Sequence, residues 1–161
     1  MYSCNVTVPP ELSRLARGLA SDCFEATARD RHSLLLKRLG DGRPSTLARE
    51  IREELAGTGP FEARISGVDV FSQPPVGPAP VAYLVVESPP LVEAHETLCA
   101  LSDPVERLEG EGYVPHITIA RGGDAGRLAG RSVEPRLWTI DSLSVWSTEY
   151  DEVVERISLP V

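Results

Sequence analysis

The sequence predicts an α+β protein of two sheet-plus-helix lobes meeting at their sheets. Three observations carry that expectation. Apolar stretches with period two alternate with stretches at three- and four-residue spacing, a strand–helix–strand pattern in the first third recurs around residues 81–121, and a strand pair closes the chain. With 161 residues the chain is long enough for one shared core, so residues 1–161 are expected to form one domain of two intertwined lobes.

Tyr2 to Val8 alternates and is rich in β-formers. Pro9-Pro10-Glu11 then opens a helix with Leu12, Leu15, Ala16, Leu19 and Cys23 on one stripe. A second strand is expected over Arg31 to Arg38, ended by the turn Gly40-Asp41-Gly42. Ser45 or Thr46 can cap a helix through Leu47, Ile51 and Leu55. Phe61 to Phe71 and Val81 to Val86 read as strands joined by a Pro-rich loop. Pro89-Pro90 start a third helix through Leu91, Ala94, Leu98 and Leu101, which Pro104 interrupts. Tyr113 to Arg121 is a strand, and Leu137 to Trp146 with Val153 to Leu159 suit a hairpin.

Composition narrows the function. With 24 acidic and 16 basic residues the formal charge is −8, so the overall field repels polyanions and argues against duplex DNA binding. Any phosphate must be gripped locally. No apolar run approaches the length needed to cross a bilayer and no export signal opens the chain, so a soluble cytoplasmic protein is expected, acting as a monomer. Cys4, Cys23 and Cys99 lack metal or disulfide spacing and fit reduced thiols.

The chain has three histidines. Arg31-His32-Ser33-Leu34-Leu35-Leu36-Lys37 overlays Pro115-His116-Ile117-Thr118-Ile119-Ala120-Arg121 without a gap, a candidate internal repeat with a basic residue five positions after each histidine. Alternation along a strand puts His116 and Thr118 on one face, where hydroxyl and imidazole can address one anion. Two imidazoles suit general acid–base chemistry near neutrality, one removing a proton while the other supplies one. No metal-binding or nucleophilic-serine motif is present, so neither metal nor cofactor is expected. Lys37 and Arg121 are candidate phosphate clamps, although regular alternation would turn both to the opposite face. His95, flanked by Ala94 and Glu96, reads as a solvated helix residue, Arg121 to Gly126 as a turn, and Tyr113, Trp138 and Trp146 as core aromatics.

Tyr113-Val114-Pro115-His116-Ile117-Thr118-Ile119-Ala120-Arg121 resembles the second HxT signature of the two-histidine phosphoesterase superfamily, which includes 2′-5′ RNA ligases and RNA 2′,3′-cyclic phosphodiesterases. The resemblance extends through the strand and helix order over most of the chain. It implies a bilobal fold with pseudo-two-fold symmetry and a groove holding both motifs. It implies His32 and His116 as the acid–base pair, Thr118 on the phosphate, and an RNA end or small nucleotide with a cyclic phosphate as substrate. His32-Ser33-Leu34 departs from the pattern, with a hydroxyl one position after the histidine and leucine where threonine is expected. Ser33 then reaches the groove only if a bulge turns it there. The alternative is a nucleotide- or RNA-end-binding module with a weakened first half-site.

Overall fold

The computed structural model describes residues 1–161 and orders them as β1 (Tyr2–Val6), α1 (Pro10–Ala20), β2 (Thr27–Ala28), β3 (Leu34–Gly40), α2 (Pro44–Glu54), β4 (Phe61–Phe71), β5 (Val81–Glu87), α3 (Pro89–Leu98), β6 (His116–Arg121), β7 (Arg136–Ile140), β8 (Ser142–Ser147) and β9 (Glu152–Ser158). Each helix has proline in its first turn, where the missing N–H is no loss and φ is already set. Helix α3 adds the Ser88 hydroxyl, which accepts from Leu91 N–H at 3.3 Å. Helix α2 starts earlier than expected, on Pro44, and no side chain caps it. Helix α3 ends at Leu98, so Pro104 lies in the following loop rather than interrupting the helix.

The sheet is antiparallel and runs β7-β4-β5-β6-β3-β1-β8-β9, with β2 added against β6. The predicted strand Leu137 to Trp146 is two strands broken at Asp141. β7 pairs with β4, whereas β8 forms the expected hairpin with β9. The two halves meet at the narrow seam between β3 and β6, where Leu34 pairs with Ile117. An antiparallel pair has a local two-fold axis at its centre. Strand order repeats outward from this one: β3-β1-β8-β9 on one side and β6-β5-β4-β7 on the other.

The helices follow the same relation. Helix α1, which succeeds β1, packs under β6, and α3, which succeeds β5, packs under β3. Their apolar stripes and the inward faces of the strands form one cluster of 32 buried residues spanning both lobes. Burying such surface is the main force holding the lobes together.

The bulges govern which side chains reach the open face. Pairing of β1 with β3 passes from Asn5↔Leu35 to Cys4↔Lys37, so Leu36 is an extra residue. Pairing of β5 with β6 passes from Tyr83↔Thr118 to Ala82↔Ala120, so Ile119 is extra. In both places two successive residues turn inward: Leu36 with Lys37, and Ile119 with Ala120, all four fully buried. Alternation then resumes in the opposite phase. Arg121 therefore lies on the face of His116 and Thr118, against the expectation from regular alternation.

Lys37 is corrected by the same geometry. It is not a groove residue: its ammonium lies inside, 2.8 Å from Glu109 Oε1 and 3.1 Å from the Arg38 carbonyl, with the two side chains 0% and 1% exposed. Glu109 also accepts from the backbone N–H groups of Arg38 and Val105. Burial works to raise the Glu109 pKa, but the Lys37 ammonium and these N–H groups outweigh it and hold the carboxyl below its ordinary value.

His95 is likewise corrected. It is buried on the inward stripe of α3 with Leu91, Ala94 and Leu98, not solvated. Its Nδ1 donates to the Leu36 carbonyl at 2.6 Å, its Nε2 accepts from Gly110 N–H at 2.9 Å, and its ring stacks on Tyr113 at 3.9 Å. The Tyr113 hydroxyl donates to the Leu35 carbonyl. Lys37, His95 and Tyr113 thus fasten β3 to the segment that leads into His116.

Candidate active site

The seam floors a cavity of about 810 Å³, large enough for a nucleotide. His116, Thr118 and Arg121 of β6 line it, as do Leu35 and Arg38 of β3, His32 and Ser33 just ahead of β3, and Trp146 of β8. With Arg38 and Arg121 counted, five arginines and two aspartates border it, giving a locally positive surface on an acidic chain. A surface of that sign attracts anions locally against the overall field.

His116 opens β6, where pairing with Val85 sets its backbone. Its Nδ1 is 2.7 Å from the Val114 carbonyl, which only accepts, so this nitrogen bears the proton and leaves Nε2 as the basic atom. The ring stands edge-on to Phe71 and Tyr83, with centroids 5.3 and 5.4 Å away, and those two rings stack at 4.1 Å. Burial lowers the His116 pKa below 6.5, the Val114 hydrogen bond opposes that, and the charges of Arg121, Arg38 and Arg29 lower it further. The free site therefore holds a neutral imidazole at pH 7. A phosphate among the arginines would offset their charge and ease protonation.

Arg121 is oriented by the loop after β4: its Nη1 donates to the Val76 carbonyl at 2.8 Å. Gly77 lies against the guanidinium with φ +80°, and a Cβ there would approach Nη1 to 2.7 Å. The Gly-rich stretch after Arg121 is a turn, as expected, but it also docks the opposite wall. The Asp124 carboxylate accepts from the N–H groups of Phe24, Glu25 and Ala26 at 2.8 to 2.9 Å. The Phe24 and Glu25 bonds lead in lowering its pKa to about 2. Gly123, with φ +48°, approaches the Glu25 backbone where a Cβ would collide at 2.5 Å. This docking leads into β2 and Arg29, whose N–H donates to the Ile119 carbonyl.

His32 lies in the loop before β3, not in the strand. It borders the same cavity as His116, yet neither ring nitrogen has a hydrogen-bond partner. Burial, followed by the charges of Arg17 and Arg29, lowers its pKa. The local two-fold through Leu34 and Ile117 relates Ser33 to His116, Leu35 to Thr118 and Arg38 to Arg121. The gap-free sequence overlay is therefore displaced by one residue, because it aligned the histidines whereas the fold aligns the bulges. Ser33 reaches the groove by its own position.

Arg29, Arg38 and Asp124 were not singled out as site residues by sequence. A displaced overlay concealed Arg38, while the roles of Arg29 and Asp124 come from contacts distant along the chain. Trp146, expected in the core, lines the cavity with the Arg31 guanidinium 4.6 Å above its ring. Arg31 also reaches Asp151 at 4.0 Å. Trp138 does pack against the core.

Residues 24–152 match the model of the 2′-5′ RNA ligase superfamily. No curated protein sequence matches the chain. Among solved structures, TT0787 of Thermus thermophilus is 22% identical with a TM-score of 0.69, covering 98% of this chain and 97% of that one. E. coli LigT complexed with NADP+ is 16% identical with a TM-score of 0.66, covering 99% and 98%. LigT complexed with 3′-AMP is 14% identical with a TM-score of 0.62, covering 98% and 96%. At these identities the likeness concerns the fold, and it extends along both chains. With the family match over most of the sequence, it makes this chain a member of the 2′-5′ RNA ligase superfamily, the two-histidine phosphoesterases.

Proposed function

We propose that the groove opens a 2′,3′-cyclic phosphate at an RNA end or on a nucleotide. The observation that carries this reading is the convergence of His116, Thr118 and Arg121 on one face of β6, beside His32 and further arginines. Thr118 and the arginines hold the phosphate. Water attacks phosphorus and gives its proton to one imidazole, the bond from phosphorus to the 3′ oxygen breaks, and the other imidazole protonates that oxygen, leaving a 2′-phosphate. His32 and His116 are the two proton carriers. With a 5′ hydroxyl in place of water as the attacking group, the same two proton transfers open the cyclic phosphate into a 2′-5′ linkage and free the 3′ hydroxyl.

Bound nucleotides in LigT structures support a small nucleotide as the simplest ligand. The test is hydrolysis of a 2′,3′-cyclic mononucleotide with EDTA present. Bell-shaped pH dependence and a loss of about 10²-fold or more in His116→Ala are expected. Wild-type turnover in that variant would refute the assignment. Ser33 and Leu35, standing where the two-fold relation would repeat His116 and Thr118, favour one other reading: a binding module for a phosphorylated nucleotide or RNA end. Tight binding of 2′-AMP with no hydrolysis of the 2′,3′-cyclic mononucleotide would establish it.

A further inference from the structure

We propose that position 33 is the seat of the second imidazole, filled here by serine, and that His32 carries out its proton transfer only after turning in from the loop ahead of β3. The inference rests on the phosphoesterase reading and specifies how its two halves differ. Three observations lead to it. Leu34↔Ile117 pairing puts position 33 opposite 118 and position 35 opposite 116 across the seam. The bulges at Leu36 and Ile119 fall at equivalent places, so the related set is Ser33, Leu35 and Arg38 against His116, Thr118 and Arg121, and all six line one cavity. His32 precedes the strand, and both ring nitrogens lack partners while shielded from solvent.

Each element has a chemical consequence. The Ser33 hydroxyl can donate one hydrogen bond to a phosphate oxygen, but unlike imidazole it does not change protonation near neutrality. Leu35 offers no donor where Thr118 offers one. Arg38 remains as the charge on this half. The first half-site is therefore able to bind phosphate, but lacks a proton carrier of its own on the strand. His32 is one residue away, and an unpartnered imidazole gains a partner by turning toward a bound phosphate oxygen. Turnover then depends on a rearrangement that the second half-site does not need.

The experiment is a cycle between His32→Ala and the pair Ser33→His with Leu35→Thr, assayed on a 2′,3′-cyclic mononucleotide, with circular dichroism to confirm folding. Ser33→His alone serves if the pair does not fold. Relocating the imidazole to position 33 is expected to raise kcat by about 10-fold or more, and to shrink the loss caused by His32→Ala by a similar factor. In the wild type, 2′-AMP should shift the NMR signals of the His32 ring as well as those of His116.

A folded variant with no gain in kcat, or an equal His32→Ala loss in both backgrounds, overturns the inference while leaving the phosphoesterase reading in place. Unmoved His32 signals at saturating 2′-AMP overturn it as well. If wild type and variant both fail to open the ester, the phosphoesterase reading falls and takes the inference with it.

Discussion

Lys37→Met removes the ammonium from the buried pair but keeps most of the side-chain volume. The Glu109 carboxylate, 1% exposed, is left with the N–H groups of Arg38 and Val105 and without its 2.8 Å cationic partner. Removing one member of a buried pair costs about 3–5 kcal/mol, because the remaining charge is uncompensated. Domains of this kind are stable by about 5–15 kcal/mol, so the loss is a large share of the total. At about 2–4 °C per kcal/mol, the midpoint should fall by roughly 6–20 °C.

Urea unfolding followed by circular dichroism measures the change, with activity normalised to the folded fraction. Adding Glu109→Gln should recover part of the loss, since the amide oxygen can still accept from one of the two N–H groups while the buried charge is gone. The KM for a cyclic nucleotide should stay within about 2-fold of wild type. A loss below about 1 kcal/mol accompanied by a 10-fold rise in KM would refute the internal role and restore Lys37 as a groove clamp.

Arg38→Met should raise the His116 pKa, because a cationic neighbour that disfavours imidazolium is gone, and the acid limb of kcat/KM should move to higher pH. An NMR titration of His116 that stays in place or moves lower would contradict this. Asp124→Asn should speed hydrogen exchange at Phe24, Glu25 and Ala26 and raise KM through looser placement of Arg29. Because the folded pKa of Asp124 is about 2, below the ordinary 3.8, the stabilisation is present above about pH 4 and lost as pH falls through about 2. Stability curves for wild type and variant should converge there, and a constant gap down to that pH would count against the carboxylate. Gly77→Ala should displace the Arg121 guanidinium from Val76 and raise KM more than it lowers kcat. Unchanged KM in a folded variant would show that Arg121 does not need this support.

Local pattern was sufficient for much of the architecture. Phe61 to Phe71 has the expected bounds, and proline marks the starts of α1 and α3 as expected. His116 and Thr118 were legible because two-residue spacing puts them on one face before the bulge intervenes. The first half-site was harder to place. A bulge shifts phase by one residue and leaves little local signature, so Lys37 looked like the mate of Arg121 when its structural counterpart is the buried Ala120. His95 shows the opposite difficulty: its polar character and acidic neighbour suggest water, yet it stands four residues after Leu91 and three before Leu98, on the inward face. The Leu36 carbonyl and Gly110 N–H that satisfy it are distant in sequence. Asp124 meets residues about 100 positions earlier, a closure that no local window contains.

Helices α1 and α3 each succeed a strand of one lobe and pack under the facing strand of the other. This exchange works like crossed straps. Spreading the walls would peel Leu12 and Ala16, or Leu91 and Leu98, from their apolar beds and expose them to water. The gap between the walls is thereby gauged by the core beneath it, and guests are sorted by whether they fit that width.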